Sequence, residues 1–154
     1  MTRYVAVCGP AEATPEESAA AEEIGRLLAE GGAVIVCGGL GGVMDAAARG
    51  ARQAGGTVIG ILPGETRAGA SEHLTVAIPT GMGEARNALV ARAADALIAV
   101  GGGFGTLSEI GLALKMGRRV VGLGTWDLAR DGEASPEVVR VLSARDAVRE
   151  ALGP

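Results

Sequence analysis

Aromatic residues, lysine, histidine, cysteine and long apolar runs are all scarce in this chain, and each scarcity closes off a class of function. Trp, Tyr and Phe occur once each and make up 2% of the residues, which argues against base-stacking platforms for nucleic acid and leaves Ala, Val, Leu and Ile to fill the core. The only lysine is Lys115, so a phosphate loop ending in Gly-Lys-Ser/Thr has no lysine to use, and a pyridoxal Schiff base would depend on that one residue. Cys8, Cys37 and His73 are too few for a structural zinc site, and the two cysteines, at the ends of apolar runs, read as buried thiols. The N-terminus, Met1-Thr2-Arg3-Tyr4-Val5, passes straight into a strand-like segment, with neither a signal peptide nor a membrane span. The expectation is a cytoplasmic protein with no membrane partner. Fourteen basic against 18 acidic residues give a net charge of −4, without the basic footprint of a nucleic-acid binder.

What the chain does have is glycine and small aliphatics. Its 154 residues fit one domain, 48% are hydrophobic, and the mean hydropathy is +0.31, which supports a packed core rather than disorder. Glycine accounts for 26 residues against a usual share of roughly 7%. Short apolar runs alternate with segments of helical period, and glycine pairs punctuate the junctions. That is the pattern of βα units around a parallel sheet, and it predicts a single-domain, Rossmann-like, doubly wound α/β fold of about six strands with helices on both faces.

Strands are expected at residues 4–8, 33–37, 57–62, 74–78, 96–100 and 119–123. The first helix opens with Thr14 as cap, Pro15 at its first position and Glu17 completing a capping box, and it ends at Gly31-Gly32. A second runs to about Ala54, a third over 84–94, and a fourth over 106–116. A last helix, capped by Ser135 and opened by Pro136, is expected to reach Leu152 and to pack through Val138, Val139, Leu142 and Val148. Residues 63–71 read as a mobile loop that shapes the mouth of a cleft. The fourth helix carries Leu107, Ile110, Leu112, Leu114 and Met116, more apolar perimeter than one sheet contact needs, which predicts a homo-oligomer, a dimer or tetramer, the alternative being that neighbouring segments of the same domain wrap this helix.

Two glycine-rich turns each follow a strand and open a helix, where free N–H groups and the positive helix end suit an anion. One holds Gly102, Gly103, Phe104, Gly105 and Thr106. The other holds Gly38, Gly39, Gly41, Gly42 and Met44, and the turn after the first strand adds Gly9. In a parallel sheet these turns emerge at one carboxyl edge and wall a common cleft, so the expected ligand bears a phosphate. The dinucleotide fingerprint fits poorly: Met44 stands where its third glycine belongs, and no acid closes the second strand to hold a ribose. Glu109 lies three residues after Thr106, on the same helix face, so its carboxylate can look into the cleft. It could equally complement the helix dipole. Arg86 could hold a phosphate bidentately, pair with Glu109, or be a surface charge. Asp45 either enters the cleft or caps its helix.

Gly101-Gly102-Gly103-Phe104-Gly105-Thr106-Leu107-Ser108-Glu109, with Arg86 upstream, resembles the signature P-G-G-x-G-T-x-x-E of the Lonely Guy (LOG) superfamily, long misdescribed as lysine decarboxylases. Cys37-Gly38-Gly39-Leu40-Gly41-Gly42-Val43-Met44 is similar to that family's second glycine motif. The resemblance implies a nucleoside 5′-monophosphate phosphoribohydrolase in which the glycine turn takes the phosphate and Arg86 and Glu109 are catalytic, with no cofactor required. Three departures stand out. Gly101 replaces the leading proline, Met82-Gly83-Glu84-Ala85-Arg86-Asn87 lacks the family's His and Lys, and the chain is short. In these respects it looks more like the sister branch that includes molybdenum-cofactor carriers, which implies binding of a nucleotide, a phosphate or the molybdenum cofactor without cleavage.

Overall fold

In the computed structural model, which describes residues Met1–Pro154, the strands are β1 (Tyr4–Cys8), β2 (Val34–Cys37), β3 (Thr57–Leu62), β4 (Val76–Pro79), β5 (Ala96–Val100), β6 (Arg119–Leu123), β7 (Ala129–Arg130), β8 (Glu133–Ala134) and β9 (Val138–Val141). The helices are α1 (Pro15–Glu30), α2 (Val43–Gln53), α3 (Asn87–Ala93), α4 (Phe104–Lys115) and α5 (Ala144–Leu152). Seven strands form one parallel sheet in the order β4-β3-β2-β1-β5-β6-β9, while β7 and β8 make a separate antiparallel ribbon. The fold is Rossmann-like and doubly wound, as the alternation of runs predicts.

Strand alternation divides the core. Val5, Val7, Ile35 and Ile98 face the layer of α1, α2 and α5, whereas Ala6, Cys8, Leu97 and Ala99 face α3 and α4. Every residue of β5 is buried, the mark of a parallel strand covered on both sides. On the first face α1 and α2 approach until a Cβ on Gly50 would land on the Glu22 backbone; only glycine permits that separation.

Three departures from the sequence expectation concern local structure. The expected helix from Ser135 to Leu152 is instead β9 followed by α5. Val138, Val139 and Val141 are β-branched and find β6 as a parallel partner, with Val120 opposite Val138, so tertiary pairing overrides the helix-like Ser-Pro-Glu opening. The true cap is Ser143, whose Oγ accepts from Asp146 N at 3.1 Å, and Leu142 is 91% exposed rather than packed. Around Arg86 the helix starts later than expected: Gly83–Arg86 is a turn of 3-10 helix that leads into α3. At α1, Thr14 Oγ1 accepts from Glu17 N at 3.1 Å, which is half of the capping box. Glu17 Oε2 makes no hydrogen bond and fills the space beside Gly101.

The strand order reverses between β1 and β5, since the chain builds outward from β1 through β2, β3 and β4 and then returns to its other side. Ligand crevices of open α/β sheets lie at the carboxyl ends of the strands at such a point. No helix is long and apolar enough to cross a membrane.

Candidate functional site

The turn after β5 is set by its backbone. Gly101 has φ +57°, a left-handed conformation that a proline ring forbids, so this turn differs in shape from the proline-led version of the motif. Thr125 Oγ1 donates to Gly101 O, and Trp126 Nε1 donates to Gly103 O at 3.0 Å; the segment after β6 thereby clamps the turn from outside. Gly103 is the N-cap of α4 and supplies no side-chain hydrogen bond. The first-turn N–H groups thus have no helical acceptor, and they meet solvent together with the positive end of the dipole.

A cleft of about 610 Å³ opens there, over the switch point between β1 and β5. It is lined by Gly9, Met44, Arg86, Gly103, Phe104, Gly105, Thr106 and Glu109 among the residues expected from sequence. Gly38, Gly39, Gly41, Gly42 and Gly102 do not line it. The two glycine turns are therefore unequal. At α2, Val43 N donates to Pro10 O at 3.1 Å and Gly42 packs on the Pro10 and Ala11 backbone, so the chain leaving β1 closes that helix end. The first turn contributes wall, through Leu40 and Met44, and the open helix end belongs to α4. Gly38 lies directly under Arg86, where a Cβ would come within 2.7 Å of Nη2.

Arg86 and Glu109 face this cleft separately. Arg86 Nε donates to Ile61 O at 3.0 Å and Nη1 donates to Asn87 Oδ1, which holds the guanidinium at the carboxyl end of β3 and leaves Nη2 unengaged. Glu109 is 8% exposed, and its carboxyl makes neither an ion pair nor a hydrogen bond with the protein. Burial pushes its pKa up to about 7, against a smaller downward pull from Arg86. Below that value the group is a neutral acid able to donate a hydrogen bond; above it the group is a buried anion. Thr106, 3% exposed, also turns into the cleft.

The thiols do not line the cleft. Burial, with Glu109 adding to it, raises Cys8 well above the usual thiol range, and burial pushes Cys37 up to about 12, so neither supplies a thiolate. Asp45 neither enters the cleft nor caps α2: it accepts from Ser71 Oγ at 2.6 Å and pairs with Arg49 at 3.4 Å. Ser71 N also donates to Gly39 O at 2.9 Å, and Arg67 Nε to Ala77 O at 3.1 Å, so the 63–71 loop is tethered to its neighbours. Its Pro63 lines the cleft.

Sequence reasoning missed Asn87, Ser108 and Trp126. Asn87, 5% exposed, accepts from Arg86 and donates from Nδ2 to Ser108 Oγ at 2.9 Å, so it fixes Arg86 against α4. An amide directly after the cleft arginine was the available signal. Trp126 offered none, because it follows a strand whose turn carries no motif.

Comparison with known proteins places this geometry among relatives. The SLOG cluster4 family model matches residues 2–150. An uncharacterized protein of Archaeoglobus fulgidus is 46% identical over 119 residues, covering 77% of this chain and 78% of its own. A probable cytokinin riboside 5′-monophosphate phosphoribohydrolase of Oryza sativa is 34% identical over 116 residues, 71% of this chain but only 47% of the rice protein. The molybdenum cofactor binding protein of Rippkaea orientalis superposes with a TM-score of 0.87 at 35% identity, over 97% of this chain and 94% of that one. The molybdenum cofactor carrier protein of Chlamydomonas reinhardtii gives a TM-score of 0.83 at 34% identity, over 96% and 94%.

Proposed function

The chain belongs to the SLOG cluster4 family, and on that premise we propose that it holds an anionic, phosphate-bearing ligand of the molybdenum-cofactor or nucleotide class, as a carrier or sensor. The observation that carries this reading is the open N-terminus of α4 in a cleft that Arg86 and Thr106 also line. The N–H groups and the guanidinium are donors, and an oxyanion ligand accepts from both. The likeness to the two molybdenum-cofactor proteins supports the cargo class. The buried thiols fit a cargo held through its phosphate rather than through a protein thiolate on its metal.

A second reading has one observation in its favour. Glu109 is a buried carboxyl with a pKa near neutrality in the same cleft, a state suited to proton transfer or to steadying an oxocarbenium-like ribose during loss of a base. Release of free base from a panel of nucleoside 5′-monophosphates, together with calorimetric binding of the same ligands, separates the two readings. The carrier reading expects binding without turnover, with affinity reduced at least about tenfold in Arg86→Ala, the loss of a charge-assisted contact. Base release that disappears in Glu109→Gln would establish the hydrolase instead.

A further inference from the structure

Two of the three aromatic residues in the chain meet at the rim of the cleft. Phe104 is 81% exposed, and its ring centroid lies 5.6 Å from that of Trp126, with the planes tilted by 30°. Trp126 is on the side away from the cleft: it lines the neighbouring hollow beyond β6, whereas Phe104 lines the cleft. Its indole is pinned by the bond to Gly103 O at 3.0 Å. Phe104 thus has a fixed ring beside it and most of its own surface open.

A large apolar ring at the first position of α4, 81% exposed and touched in the protomer chiefly by Trp126, is placed on the wall of the cleft rather than in the core. The unpartnered Glu109 carboxyl, more than nine-tenths buried, faces the same space and marks it as built for a ligand. We propose that Phe104 is the stacking platform for a planar heteroaromatic ring, so that the cleft selects phosphate monoesters that carry a pterin or purine over those that do not. This rests on the anion-site reading above. The scarcity of aromatics argues against a multi-base platform, but a mononucleotide or pterin needs only one ring, and aromatic faces stack on heterocycles of many kinds.

The probes are 6-hydroxymethylpterin phosphate and ribose 5-phosphate, which share the phosphate monoester and differ in the ring. Affinities are measured by calorimetry for the wild type, Phe104→Ala and Phe104→Tyr, with the emission of Trp126, the only tryptophan, as a second readout. The wild type is expected to prefer the pterin ester, and Phe104→Ala to reduce that preference by about tenfold, within the usual range for one aromatic stack. Ribose 5-phosphate affinity should stay within about twofold, and Phe104→Tyr should retain the preference. Pterin phosphate, but not ribose 5-phosphate, should alter Trp126 emission. An equal preference in wild type and Phe104→Ala overturns the proposal and leaves the anion site standing. So does a Phe104→Ala change that appears only as altered sedimentation, which would assign the ring to a contact between copies. Binding of neither probe removes the anion site and the stacking role together.

Discussion

Arg86 and Glu109 share one cleft without forming an ion pair. The guanidinium is held by Ile61 O and Asn87, while the carboxyl stays buried and unbonded, with its pKa raised to about 7. The separation leaves a fixed cation and, within its electrostatic reach, a protonatable acid.

Stability should depend on pH through Glu109. An acid whose folded pKa lies above its unfolded value of 4.5 takes up a proton in the folded state first. Its contribution is therefore complete at low pH and lost as pH rises from about 4.5 through about 7, then level. The window corresponds to roughly 3 kcal/mol as an upper order of magnitude. Urea denaturation between pH 5 and 8 should show the wild type losing stability relative to Glu109→Gln. Parallel curves for the two proteins would place the carboxyl outside this window.

Glycine in a helix interior is ordinarily about 1 kcal/mol worse than alanine, and α4 and α2 should give opposite results. Gly111→Ala adds a methyl where nothing lies within 4 Å and is expected to stabilise by up to about 1 kcal/mol. Gly50→Ala drives a methyl into the Glu22 backbone and should destabilise by about 2 kcal/mol or more. Chemical denaturation of the two variants checks the sign of each.

Ser143→Ala should cost about 1 kcal/mol, because it removes the acceptor for Asp146 N at the start of α5. Ser135→Ala should cost less: Ser135 caps no helix, and its hydroxyl bonds only the exposed Glu137 carboxylate. A larger loss at Ser135 than at Ser143 in thermal unfolding would restore the single C-terminal helix that the sequence suggests.

The apolar perimeter of α4 is only partly used within the protomer. Ile110 and Ala113 are fully buried in the core, and Leu112, Leu114 and Met116 pack at its margin, but Leu107 joins neither set. We expect the wild type to sediment as a dimer or tetramer and Leu107→Glu as a protomer with unchanged far-ultraviolet circular dichroism. A wild type that sediments as the protomer would remove the oligomer.

The βα alternation was legible because apolar runs and glycine stops are local signals, and each predicted strand has its counterpart within two residues. The exception was the stretch after Ser135. Four residues rich in valine carry no period of their own, and only the free edge of β6 makes them a strand. The Asp131-Gly132 turn of the β7–β8 ribbon, with φ of +54° and +83°, was readable in principle, since Asp-Gly is a hairpin signal.

For the site, the sequence alone determined which residues could serve. The glycine turn opening α4, Thr106, Glu109 at three residues' remove on the same face, and the absence of a usable lysine all follow from spacing and composition. Tertiary structure decided which of them meet. Strand order put the turns of β1 and β5 on either side of one crevice. The Pro10 carbonyl closed the α2 end while the α4 end stayed open, and Asn87 and Ile61 held Arg86 away from Glu109. The physical reason is that helix ends and side-chain reach are local properties, whereas burial, pairing and the pKa of Glu109 depend on what the rest of the chain brings to the same place.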